Sequence, residues 1–126
     1  MESEAVLSII DICDAGLWSF YSSDVLLDEI LSTTNIYKRE KVMLVYHSAA
    51  MHIVLTDEIV SRAKELERFN IKSYDALHLA SAEAGNADVF LTTDDRLIKA
   101  TQRADVEVAV KNPLLWLTEA LYDRKS

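Results

Sequence analysis

The oxygen donors best placed to do chemistry in this sequence follow short apolar runs. Val89-Phe90-Leu91 leads into Thr92-Thr93-Asp94-Asp95, a hydroxyl pair followed by a carboxylate pair. Asp75 stands just after Ser73, at the head of a segment rich in Ala and Leu. Glu29 lies in Val25-Leu26-Leu27-Asp28-Glu29-Ile30, roughly two helical turns beyond the first strand-like residues, where an inward carboxylate needs something positive to meet it. Carboxylates brought together repel one another, and the economical counter-ion for hard oxygen donors is Mg²⁺ or Mn²⁺. Each acid also has an ordinary use. An Asp at a helix start caps the first turn or meets the helix dipole, and a Glu on a helix faces water.

The elements that would hold these groups read from punctuation and periodicity. Glycine occurs only at 16 and 85 and proline only at 113, so long helices joined by brief turns are expected. Ala5, Val6, Ile9, Ile10 and Cys13 recur at helical spacing. The aromatic-rich residues 17–21 read as a strand, followed by a helix capped by Ser22 or Ser23 and further helix over 38–51. Residues 52–55 read as a second strand. Thr56 with Asp57 and Glu58 starts a helix that buries Ile59, Ala63, Leu66 and Phe69. Ser73 caps a helix over 74–84 that closes at Gly85, and residues 89–92 form a strand covered on both faces. A helix over 94–104, a strand over 106–110 and a last helix opened by Pro113 complete the chain. Strands alternating with helices imply an α/β fold with a largely parallel sheet and right-handed crossovers. In such sheets the reactive crevice lies beyond the carboxyl ends of the strands, where Thr92, Asp94 and Asp95 fall.

The ordered strings Ser73-Tyr74-Asp75-Ala76-Leu77-His78-Leu79-Ala80 and Ala87-Asp88-Val89-Phe90-Leu91-Thr92-Thr93-Asp94-Asp95-Arg96-Leu97 carry more information than any single acid. Residues 60–97 resemble the C-terminal half of a PIN domain, the metal-dependent nuclease fold of the VapC toxins in toxin–antitoxin pairs. The likeness extends more loosely over the earlier part of the chain. It implies a three-layer α/β/α domain over residues 1–126, with Asp75 as the third family acid and Asp94 as the fourth. Asp95 would assist, and Thr92 would orient a carboxylate. The second acid falls in a pattern of Ser, apolar residues and Glu, matched here by Ser23 to Glu29, with Asp28 as the alternative. A PIN domain opens with a strand that runs through the middle of the sheet and ends in an aspartate. This chain shows no counterpart to that strand or its acid, and Glu2, Glu4, Asp11 and Asp14 do not align to it. Loss of a central strand would either bring its two neighbours together or leave two open edges, and a homodimer or swapped assembly in which a partner element fills the gap is expected.

The resemblance implies catalysis by Glu29, Asp75 and Asp94 holding Mg²⁺ or Mn²⁺, RNA as substrate and an antitoxin as protein partner. The competing reading is a non-catalytic PIN-like module that acts by self-association or by binding a partner or RNA. A weaker third reading takes a strand-end aspartate as a phosphoacceptor, with Lys111 as its basic companion.

Composition bounds all three. With 126 residues, half of them hydrophobic, the chain suits one domain with a core of its own, and a single cysteine fits a reducing, cytoplasmic setting. No apolar run approaches a membrane span. Thirteen basic against 21 acidic residues, a net charge of −8, argue against a surface built for sequence-indifferent phosphate binding. The basic groups Lys38, Arg39, Lys41 and Arg62, Lys64, Arg68 read as solvated helix faces. Histidines 47, 52 and 78 lack zinc-type spacing, and two glycines leave no room for a phosphate loop.

Overall fold

The computed structural model describes residues 18–32, 34–47 and 49–125, with the side chains of 29, 30, 38, 41, 42, 44–46 and 122–125 outside that description. The helix expected near the N-terminus falls outside it too. Strand β1 (Tyr21–Ser23) leads into helix α1 (Asp24–Ser32), and helix α2 (Ile36–His47) precedes strand β2 (Met51–Ile53). Helices α3 (Asp57–Glu67) and α4 (Ser73–Ala84) follow, then strand β3 (Val89–Leu91), helix α5 (Asp95–Arg103), strand β4 (Ala109–Lys111) and helix α6 (Pro113–Lys125).

The alternation is that of an α/β fold, and every described strand pairing is parallel. The strands form two pairs, β1 with β2 and β3 with β4, rather than one continuous sheet among the described residues. Register sets Ser22 beside His52 and Phe90 beside Val110.

Helix starts obey their local signals. Ser23 Oγ accepts from the Leu26 N–H at 3.1 Å, and Thr56 Oγ1 accepts from the Ile59 N–H at 3.2 Å. Asn112 Oδ1 accepts from the N–H groups of Leu114 and Leu115, so α6 opens with Pro113 at its first position, where the absent N–H costs nothing. Helix α4 departs from expectation. Ser73 is its first residue instead of its cap, and its hydroxyl donates to Glu67 Oε1 at 2.5 Å, tying α4 to the end of α3. The helix ends at Gly85 with φ −83°, and the left-handed residue is the next one, Asn86 at φ 55°. Asn tolerates that conformation through its short polar side chain.

The core lies between α3 and α4. Leu66 and Leu79 are wholly buried, joined by Ile59, Ala63, Ile71, Ala76, Ala80, Leu97, Ala100 and Val108. Phe69, expected inside, is 40 % exposed because it follows the last turn of α3. The first strand lies later than expected, at Tyr21–Ser23. Trp18 is instead drawn to the C-terminal helix, where its ring meets Trp116 at 4.5 Å between centroids. The strand expected over 106–110 is displaced likewise, pairing only over Ala109–Lys111.

Gly85 is fixed by close approach. A Cβ there would come within 2.5 Å of Ile53 Cδ1, which joins α4 to β2. Gly85→Ala should therefore lower stability by about 1 kcal/mol through overpacking, and Ile53→Val in the same chain, which removes that methyl, should recover most of it. Thermal melts of the two variants check this.

Candidate metal centre

Asp94 is built into the β3–α5 junction. It is the N-cap of α5, where Oδ1 accepts from the Arg96 and Leu97 N–H groups at 3.0 and 3.2 Å. Thr92, half-buried just past β3, accepts from the Asp94 N–H at 3.1 Å and shapes the turn that presents the carboxylate. Asp94 Oδ2 has no hydrogen-bond partner among the described residues and is open to solvent, so one carboxylate can cap a helix with one oxygen and offer the other outward. Asp95, exposed, opens the first turn of α5.

Asp75 sits half-buried in the first turn of α4. The residue before it, Tyr74, donates its hydroxyl to Asp28 Oδ2 on α1. Helix α1, which packs against α4, thus brings Asp28 alongside the turn that carries Asp75. The side chain of Glu29 lies outside the described residues. Asp28, the alternative second acid, is engaged by Tyr74.

Among the described residues no three His, Cys, Asp or Glu side chains converge as a ready cation cage. Asp75 and Asp94 are nonetheless oxygen donors, the type that suits a hard divalent ion that keeps most of its waters and takes one or two protein carboxylates.

A cluster that sequence reasoning missed lies at the ends of β1 and β2. Asp24 Oδ1 is 2.6 Å from His52 Nε2, and Asp24 Oδ2 accepts from the Leu55 N–H at 2.8 Å. On the far side of the ring, His52 Nδ1 is 3.0 Å from the buried Ser22 Oγ. Ser22 and His52 also border a shallow cavity of about 270 Å³, lined further by His47, Ala49, Ala50 and Met51. The sequence signal for Asp24 is its place just past a strand, which shows once β1 ends at Ser23 rather than at residue 21.

The Leu55 N–H, and after it the His52 ring, hold the Asp24 carboxyl below its usual range. A carboxyl whose folded pKa is depressed contributes stability in full above its unfolded value and loses it as pH falls through the folded one. Wild type should thus lose this contribution below about pH 4, whereas Asp24→Asn, already without it, should show a flatter acid limb in thermal melts.

The PIN domain family profile matches residues 5–103, more than three quarters of the chain. The chain belongs to the PIN domain family. PIN domains are in general divalent-metal-dependent nucleases, which agrees with the oxygen donors at Asp75 and Asp94. Comparison with curated proteins and with solved structures returned no match. As a PIN domain the chain has no use for the phosphoacceptor reading, and Lys111 is engaged elsewhere, its Nζ 2.9 Å from Glu119 Oε2 on α6. No helix among the described residues is long and apolar enough to cross a membrane.

Proposed function

We propose that this PIN domain is a Mg²⁺- or Mn²⁺-dependent endoribonuclease of the VapC type, acting in the cytoplasm on single-stranded RNA and restrained by an antitoxin protein. The observation that carries this reading is the placement of Asp75 at the start of α4 and Asp94 at the start of α5, within a chain matched by the family from 5 to 103. Glu29, Asp75 and Asp94 would hold the ion, with Asp95 adjacent and Thr92 fixing the turn of Asp94. When bound, the ion supplies an activated water and charge for the leaving oxygen of the phosphodiester. The chain's own part would be to offer carboxylate oxygens from separate helices to the ion, with Asp94 held in place by its capping of α5. Its acidity, 21 acids against 13 bases, fits a substrate gripped through the ion more than through a basic surface. Exposed Leu31, Ile36 and Tyr37 around the α1–α2 turn support a protein partner, either an antitoxin or a second copy of the chain.

A non-catalytic reading, self-association or partner binding without cleavage, draws on one observation: the strands form two separate pairs, so each pair keeps an edge without a strand partner among the described residues. One assay distinguishes the two. An unstructured RNA and a duplex of the same composition are incubated with the chain and Mn²⁺, with and without chelator. Internal cleavage of the unstructured RNA that stops with chelator is expected. Intact RNA under every condition would overturn the enzymatic reading in favour of the binding one.

A further inference from the structure

The Ser22, His52 and Asp24 cluster lies outside the acids assigned to the ion, yet it is bonded more completely than a surface histidine needs to be. Both ring nitrogens have a polar neighbour within 3.0 Å, and both Asp24 oxygens are engaged. A carboxylate can only accept, so Nε2–H donates to Asp24, while Nδ1 lies 3.0 Å from the Ser22 hydroxyl, which also lies 3.4 Å from the Met51 carbonyl. The result is a bonded path from β1 through β2 to the first residue of α1, closed by the Leu55 N–H on the loop beyond β2.

Asp24 and Asp28 are four residues apart on α1 and therefore share one face of the helix, a turn from each other. Asp24 is fixed to β2 through His52, and Asp28 is fixed to α4 through Tyr74. A helix held by one point can roll about its axis. Held at two points on one face, by different elements, it cannot. The Asp28 anchor is exposed and is bonded to the residue that precedes Asp75, so the roll of α1 sets how Asp28 meets the first turn of α4.

We propose that His52 is a positioning residue for the metal centre: its Nε2–H bond to Asp24 latches the start of α1 to β2 and fixes the rotational setting of the helix that carries Asp28 and Glu29. This rests on the reading of Glu29, Asp75 and Asp94 as the ion's ligands. Residues that orient metal ligands from behind are worth roughly ten- to a hundredfold in affinity when removed, so the latch should be visible in metal binding and not only in stability.

Two near-isosteric replacements separate the latch from a general packing role. In His52→Gln the amide nitrogen reaches about as far as Nε2 and can still donate to Asp24. In His52→Asn the amide reaches only as far as Nδ1, keeping a partner for Ser22 but losing Asp24. Mn²⁺ affinity is read from the electron paramagnetic resonance signal of the free ion. Hydrogen exchange is followed at the α1 amides, with α5 as the internal reference, for wild type, His52→Ala, His52→Asn and His52→Gln. Expected are roughly tenfold weaker Mn²⁺ binding and faster α1 exchange in the Ala and Asn variants, with Gln close to wild type and α5 unchanged in all. Unaltered α1 exchange in His52→Ala overturns the latch whatever the metal does. Gln failing as badly as Asn overturns the assignment to the Nε2–H bond. Wild type that takes up no Mn²⁺ overturns the metal-centre reading and with it the latch's role there, while the exchange arm still decides whether His52 holds α1.

Discussion

Asp94→Asn is expected to lose Mn²⁺-dependent RNA cleavage by roughly a hundredfold while melting within a degree or two of wild type. The reason is that Asp94 has two separable jobs. Its Oδ1 closes the first turn of α5 on the Arg96 and Leu97 N–H groups, and an asparagine oxygen does this equally well. Its charge and its outward oxygen are what an ion would use, and asparagine offers a neutral amide in their place. Asp94→Ala removes both functions, so it should lose the same activity and also cost about 1 kcal/mol of stability from the missing cap. Cleavage rates and melting temperatures of the two variants measured side by side separate the roles. An Asn variant that cuts like wild type would leave Asp94 as a cap and nothing more.

Arg62→Ala is the second large effect, and it concerns folding. The Glu83 side chain on α4 is only 7 % exposed, and its carboxylate receives the Arg62 guanidinium from α3 in a two-pronged pair, Nε to Oε1 at 2.8 Å and Nη2 to Oε2 at 3.2 Å. The same carboxylate accepts from the Glu107 N–H at 2.8 Å, while Arg62 also donates to the Asp105 carbonyl and pairs with Glu65. One guanidinium thus joins α3, α4 and the approach to β4, and bonding to Glu83 raises its pKa so that it stays charged. Truncating it leaves a buried carboxylate without its partner, which typically costs 3–5 kcal/mol; Arg62 is itself partly exposed, so about 3 kcal/mol is expected. Glu83→Gln, which can keep the Glu107 contact, should cost less, and replacing both residues by Leu should recover part of the loss, because a buried pair is worth little beyond a well-packed apolar substitute. Chemical denaturation of the single and double variants gives the coupling. Equal stability for Arg62→Ala and wild type would show that the network is ornamental.

Much of this molecule follows from local rules that a sequence carries openly. Ser23, Thr56, Asp94 and Pro113 announce helix starts because capping involves residues within four positions of each other, and the 3.6-residue recurrence of Ile59, Ala63 and Leu66 marks the buried face of α3. The family likeness is legible for the same reason, as ordered short strings around Asp75 and Asp94. What was illegible depends on distant partners. Arg62 looks like one of three cations on a wet helix face until Glu83, 21 positions away, is placed beneath it. His52 and Asp24 lie 28 positions apart and meet only once β1 is set at Tyr21–Ser23 in register with β2. Aromatic residues 18 and 20 suggested an earlier strand, but the pull on Trp18 comes from Trp116 across the fold. Gly85 seemed the left-handed stop, whereas Asn86 takes that conformation and Gly85 answers to Ile53.

The central claim is that acids from α1, α4 and the β3–α5 junction share one divalent ion. Titrating Mn²⁺ into wild type, Glu29→Gln, Asp75→Asn and Asp94→Asn, with free ion read by its paramagnetic signal, tests it most directly. Wild type is expected to bind, and each single replacement to weaken binding at least about tenfold. Binding of equal strength in all four chains, or none in wild type, would contradict it.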